Sequence, residues 1–148
     1  AARVGRPFLD NDHLVRGLTG REPAEIDATD GEDALHAAEI AAFEAAVKEP
    51  GPAVIAVAGA VVDVPAERER LRDAGAVVWL RAHPATLRAR IGSGAGRRDD
   101  ATDLDWIARR ASEREPAYAG VADVIVDVDT IGARETVDRI VAGLDLER

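Results

Sequence analysis

The strongest constraint on this chain is the alternation of short, β-branched apolar runs with longer stretches of helical character. "PAVIAVA" (52–58), "AVVWLRA" (76–82) and "ADVIVDVD" (122–129) are apolar on both faces, as strands buried inside a parallel sheet are. A shorter run, "PFLD" (7–10), reads the same way. Between them lie helical segments at roughly 11–18, 23–29, 32–48, 65–74, 84–91, 103–114 and 132–144. Gly51-Pro52 precedes a strand and Gly75 follows a helix, which is where such residues interrupt regular structure. Strands alternating with helices in this order predict an α/β fold of three layers, a parallel sheet flanked by helices. The segment "GSGAGRRDDATD" (92–103) is Gly-rich, charged and without period, and is expected to form a loop.

A length of 148 residues fits one domain with a core of its own. Only 3% of residues are aromatic, so Ala, Val, Leu and Ile must fill that core. The absence of cysteine excludes disulfides and Cys-based zinc sites and agrees with a reducing cytoplasm. His13, His36 and His83 have no metal-ligand spacing. A formal charge of −9 argues against a nucleic-acid partner, which needs a basic face. No apolar run approaches the ~20 residues that span a bilayer. Met is absent and "AARVG" reads as the tail of a helix, so the natural chain is expected to begin further upstream.

In an open parallel sheet, ligands bind beyond the carboxyl ends of the strands. That rule selects Asp10 and Asp12, Ala58-Gly59-Ala60, Arg81 and Asp127. One of the first two acids could lie near a hydrated Mg²⁺ while the other accepts a proton from a substrate hydroxyl. Alternatively, Asp12 caps a helix beginning at His13. His36 and Glu39 stand three apart on a helix and face the same way, either as substrate ligands or as a solvated surface. Arg114, two residues before a proline, is placed at a helix C-terminus, where a cation is favourable, or else clamps an anionic substrate. Arg97 and Arg98 in the loop could stabilise a transferring phosphoryl group or remain solvated. Gly59 at a strand end permits close backbone approach to a ligand.

Taken in order, these pieces resemble the shikimate kinase family. "VGRPFLDND" is similar to that family's "LGxxFxDxD", and "TGREPAEIDATDGEDALHAAE" to its "TGxxxxEI…DGExxFRxxE". "VVWLRAHPATLRARI" and "REPAYAGVADVIVD" follow with the family's order and spacing. The resemblance spans nearly the whole chain. It implies a P-loop kinase fold, shaped like the nucleoside monophosphate kinases, that moves a phosphoryl group from MgATP to the 3-hydroxyl of shikimate. By the same resemblance Asp10 is the acid near the metal and Asp12 the substrate-binding base. Gly59 and Arg114 hold the substrate, together with His36 and Glu39, while Arg97 or Arg98 meets the phosphates from a lid at about 92–103. Substrate-binding helices would cover about 11–48.

Several positions depart from that pattern. No G-x-x-x-x-G-K-[ST] run occurs, and the lone lysine, Lys48, lies at a distant helix end. The expectation is therefore a kinase lacking its N-terminal strand and phosphate loop, with impaired turnover. His36 stands where the family has an arginine, and a neutral imidazole offers no bidentate fork to a carboxylate. The Gly-Gly-Gly turn reads Ala58-Gly59-Ala60, the lid's "RPLL" reads "RRDD", and Asp27 and Leu35 fall on the pocket wall. These departures leave two further readings open, a paralogue acting on another small hydroxy acid or sugar acid, and a non-catalytic binding module.

Overall fold

Helix α1 (Asn11–Thr19) buries Val15 completely and stops at Gly20, whose φ of 72° is readily reached without a Cβ. Helix α2 (Pro23–Asp30) starts on a proline, which has no N–H to leave unpaired, and buries Ile26. Helix α3 (Glu32–Ala46) turns Ala34, Leu35, Ala38 and Ala42 to one side, the spacing of a helical stripe. These stripes meet in a cluster of Val15, Ile26 and Ala42, with Leu14, Ala34, Leu35 and Ala38 packed around it. The residues described by this computed structural model are 1–91 and 102–146.

The chain divides into two compact units, Ala1–Glu67 and Arg68–Arg148. In the first, a 3₁₀ turn (Ala2–Val4) precedes β1 (Phe8–Asp10), and the three helices carry the chain across to β2 (Val54–Ala56). The two strands pair in parallel, with Phe8 opposite Val54 and Asp10 opposite Ala56. A parallel pair requires such a crossover. The chain then enters a second 3₁₀ turn (Gly59–Asp63) that buries Ala60, Val61 and Val62.

The second unit opens in α4 (Pro65–Ala74). It continues through β3 (Val78–Arg81), α5 (Pro84–Ile91), α6 (Leu104–Val121), β4 (Val124–Asp127) and α7 (Ala133–Gly143). β3 and β4 are parallel, registering Val78 with Val124 and Arg81 with Asp127. Trp79 and Tyr118 stack with ring centroids 5.3 Å apart. The expected strands and helices are all present, with the strands one to four residues shorter than expected.

Helix α6 corrects one expectation. Arg114 does not end a helix: α6 continues through Pro116 to Val121. A proline inside a helix forfeits the bond to the carbonyl four residues earlier, here that of Ser112. The second half of α6 is held by packing instead, through buried Val121 and the Tyr118 ring on Trp79.

Candidate functional site

β1 runs directly into α1, and Asp10 sits at the junction as the helix cap. Its Oδ1 accepts the backbone N–H of Asp12 at 3.0 Å and that of His13 at 3.5 Å. This corrects the alternative that assigned capping to Asp12: the helix begins at Asn11, two residues earlier than that reading needed. Asp12 is left exposed in the first turn, with a carboxylate that is not used as the cap. The cap uses Oδ1 alone, so Oδ2 of Asp10 is outside it. The imidazole Nδ1 of His13 lies 4.0 Å from the same Oδ1 and is largely exposed.

The register that sets Asp10 opposite Ala56 brings the carboxyl ends of β1 and β2 side by side. Two residues past β2 the chain reaches Ala58 and Gly59, so the first unit gathers Asp10, Asp12 and Gly59 at one end of a parallel ladder. Gly59 does not need a positive φ. Helix α3 packs on both α1 and the Gly59–Asp63 turn, and carries His36 and Glu39. His36 is engaged along its own helix, with Nε2 3.4 Å from Oε1 of Glu32, one turn back. Both side chains are about one-third exposed or less, at 27% and 32%.

In the second unit Arg114 is half-buried in mid-α6. Arg97 and Arg98, and the loop expected at 92–103, lie outside the described residues except for Thr102 and Asp103. Asp103 caps α6, accepting the N–H of Asp105 at 2.8 Å and of Trp106 at 3.1 Å.

The carboxyl ends of β3 and β4 carry groups of their own. Arg81 grips Asp127 with two bonds, Nε to Oδ1 at 2.6 Å and a terminal nitrogen to Oδ2 at 2.9 Å. That bidentate contact holds the Asp127 carboxyl below its usual range and raises the guanidinium. Asp129 is also held low, first by a bond from the Thr86 side chain and then by the His83 backbone N–H at 2.8 Å. Trp79, Arg81, His83, Glu115, Asp127 and Asp129 help to line a groove of about 310 Å³.

Sequence reasoning selected Arg81 and Asp127 as strand-end residues but missed their pairing. That pairing follows from the register of the two strands, which the structure supplies. Sequence reasoning also missed Asn11, whose burial has no sequence signature between two exposed-type acids.

A magnesium ion, which the family implies, is a hard cation that binds oxygen and keeps most of its water. Asp10 fits that requirement with one carboxylate oxygen outside the cap. Among the described residues there is no cluster of three or more His, Cys, Asp or Glu that could hold a metal. For a polyphosphate the donor set is poorer, since the 148 residues contain no Gly-rich loop with a following lysine.

In fold, the chain is similar to a shikimate kinase from Acinetobacter baumannii solved in complex with shikimate. The TM-score is 0.85 at 22% identity, over 99% of this chain and 83% of that one. A shikimate kinase from Aquifex aeolicus is similar at a TM-score of 0.80 and 20% identity, over 97% and 84%. Parallel strands ending in acids, helical crossovers and these likenesses define the P-loop kinase fold. Sequence narrows it further. The model of the family described as "Shikimate kinase" matches residues 1–145. The shikimate kinase of Symbiobacterium thermophilum is 39% identical over 97% of this chain and 84% of its own length. That of Paramagnetospirillum magneticum is 32% identical over 100% and 78%. The chain belongs to the shikimate kinase family. No helix among the described residues is long and apolar enough to cross a membrane.

Proposed function

We propose that this protein phosphorylates the 3-hydroxyl of shikimate with ATP, a step toward aromatic amino acids, in the cytoplasm. The observation that carries the reading is the division of labour between the two acids at the junction of β1 and α1. Asp10 is fixed as a helix cap with one oxygen outside the cap, and Asp12 is exposed beside it. ATP with magnesium, when bound, supplies the phosphoryl group and neutralises its charge.

Asp12 accepts the proton of the substrate hydroxyl, for which an exposed carboxylate in the first turn after a strand is suited. The free oxygen of Asp10 orients the hydrated metal. His36, Glu39, Gly59 and Arg114 hold the substrate, and Arg97 and Arg98 offset charge on the transferring group. The sequence has no lysine-bearing phosphate loop, so turnover by these 148 residues alone is expected to be weak. The test is ADP release followed with and without shikimate. Shikimate-dependent release, lost in Asp12→Asn, supports the reading. ATP binding with no response to shikimate overturns it.

One observation favours a second substrate. His36 is turned onto Glu32 and lacks the planar fork that suits a carboxylate. A related small hydroxy acid or sugar acid then replaces shikimate, and a substrate panel separates the two. Absence of ATP binding altogether leaves a non-catalytic binding module.

A further inference from the structure

Asn11 lies between the two acids and behaves unlike either. It is 5% exposed, and its Nδ2 is closed off from solvent without an acceptor. Among the described residues no other buried side-chain nitrogen or oxygen is left so. Burying an amide N–H without an acceptor destabilises a fold, because the bond it made to water is not replaced. Leucine has the same number and branching of side-chain heavy atoms and carries no such penalty. Packing alone therefore favours an apolar residue at this position.

A polar group that weakens the free protein in this way calls for a reason outside folding. The setting supplies one. Asn11 opens α1 at the carboxyl end of β1, and the nearby N–H groups of Asp12 and His13 are already committed to Asp10. The amide of Asn11 is a donor with nothing to donate to, one residue from each candidate acid.

We infer that Asn11 is a ligand-positioning residue, whose side-chain N–H is donated to an oxygen of the ligand that binds at the carboxyl end of β1. This rests on the kinase reading above. The N–H is shielded in the free protein, so the bond forms as the junction between β1 and α1 shifts on binding. The oxygen belongs either to the small acid substrate or to a phosphoryl group of the nucleotide.

Linkage gives this idea a signature that a structural role lacks. A donor unmet in the free state and met in the bound state makes stability and affinity move in opposite directions when it is removed. The test is Asn11→Leu in the otherwise unaltered protein. Its melting temperature is measured without ligand, and its dissociation constants for shikimate and for MgADP are measured separately. The free protein is expected to melt higher, and one of the two ligands to bind about tenfold more weakly, equivalent to about 1.4 kcal/mol. Loss confined to shikimate assigns the oxygen to the acid, and loss confined to MgADP assigns it to the phosphoryl group.

A higher melting temperature with both affinities unchanged overturns the inference, since the amide is then a bare cost. If leucine overpacks the junction and lowers the melting temperature, Asn11→Ala decides by affinity alone, with unchanged binding of both ligands again overturning it. Failure of the unaltered protein to bind either ligand removes the kinase reading and this inference with it. Binding by that protein that the variants do not alter removes only the inference.

Discussion

Arg81 and Asp127 close the carboxyl ends of β3 and β4 with a bidentate ion pair in which both side chains are about half exposed. Exposure limits what such a pair contributes at neutral pH, because water screens it. Its pH dependence is nonetheless specific. In the fold the Asp127 carboxyl sits below its usual range, chiefly through the hydrogen bonds from Arg81. Its contribution is therefore fully present above the unfolded value of about 4 and is lost as pH falls through the lower folded value. Asp127→Asn should flatten the acid limb of the melting curve below about pH 4, leaving the neutral plateau little changed. Melting temperatures by circular dichroism between mildly acidic and strongly acidic pH check this. An acid limb as steep as the unaltered protein's removes Asp127 from the explanation.

The Arg81–Asp127 pair also shows where the sequence was legible. Apolar runs located every strand among the described residues, and the order of strands and helices predicted parallel ladders, so both residues were correctly placed at strand ends. Which residue faces which depends on register, and no local pattern carries that. Helix ends were readable where a glycine imposed them, as at Gly20 with its φ of 72°. They failed at Pro116, because a proline reads as a stop while only one hydrogen bond is at stake. Stacking of Tyr118 on Trp79 and burial of Val121 carry α6 past it. Asp10 and Asp12 were singled out together, but the assignment of the cap turned on a helix start two residues earlier than the alternative assumed. The burial of Asn11 was not legible at all, since polar residues beside two acids usually face water.

Capping and metal binding by Asp10 can be separated. Asparagine caps helices about as well as aspartate, whereas alanine does not. Asp10→Ala should cost about 1 kcal/mol of stability through the loss of the bonds to Asp12 and His13. Asp10→Asn should keep most of that stability and instead require more magnesium for half-maximal turnover. Denaturant unfolding reads the first effect, and a magnesium titration of turnover the second. Equal metal requirements in Asp10→Asn and the unaltered protein would place the metal elsewhere.

Arg72 reaches across from α4 to donate to the Gly120 carbonyl at 2.6 Å, in the last turn of α6. Carbonyls there have no partner within the helix, and a cation near them is also favoured by the helix dipole. Arg72→Ala should cost about 1 kcal/mol, the typical net value of an intramolecular hydrogen bond, because solvent exposure screens the extra strength of the charged donor. Arg72→Gln keeps a donor without the charge and should recover part of the loss. Urea midpoints of the three proteins measure both steps, and a midpoint for Arg72→Ala equal to that of the unaltered protein would show the contact to be energetically idle.

Gly143 ends α7 against Val124 of β4. A Cβ placed on it would lie 3.0 Å from Cγ1 and 3.2 Å from Cγ2 of Val124. Two effects of Gly143→Ala oppose each other. Alanine is a better helix former than glycine by up to about 1 kcal/mol, and by less at a helix end. Forcing a methyl into a filled space costs about 1–3 kcal/mol, because Val124 is branched at Cβ and belongs to a strand held by its partner. The clash should win, leaving Gly143→Ala less stable by about 1 kcal/mol. If the valine methyls are the cause, the sign should reverse once they are gone. In a Val124→Ala background, itself weakened by the loss of a partly buried side chain, the same Gly143→Ala change should become neutral or stabilising. The four proteins form a double-mutant cycle whose coupling energy, read from denaturant unfolding, isolates the contact. Additive effects would mean that α7 yields at its end and that the glycine answers to something other than Val124.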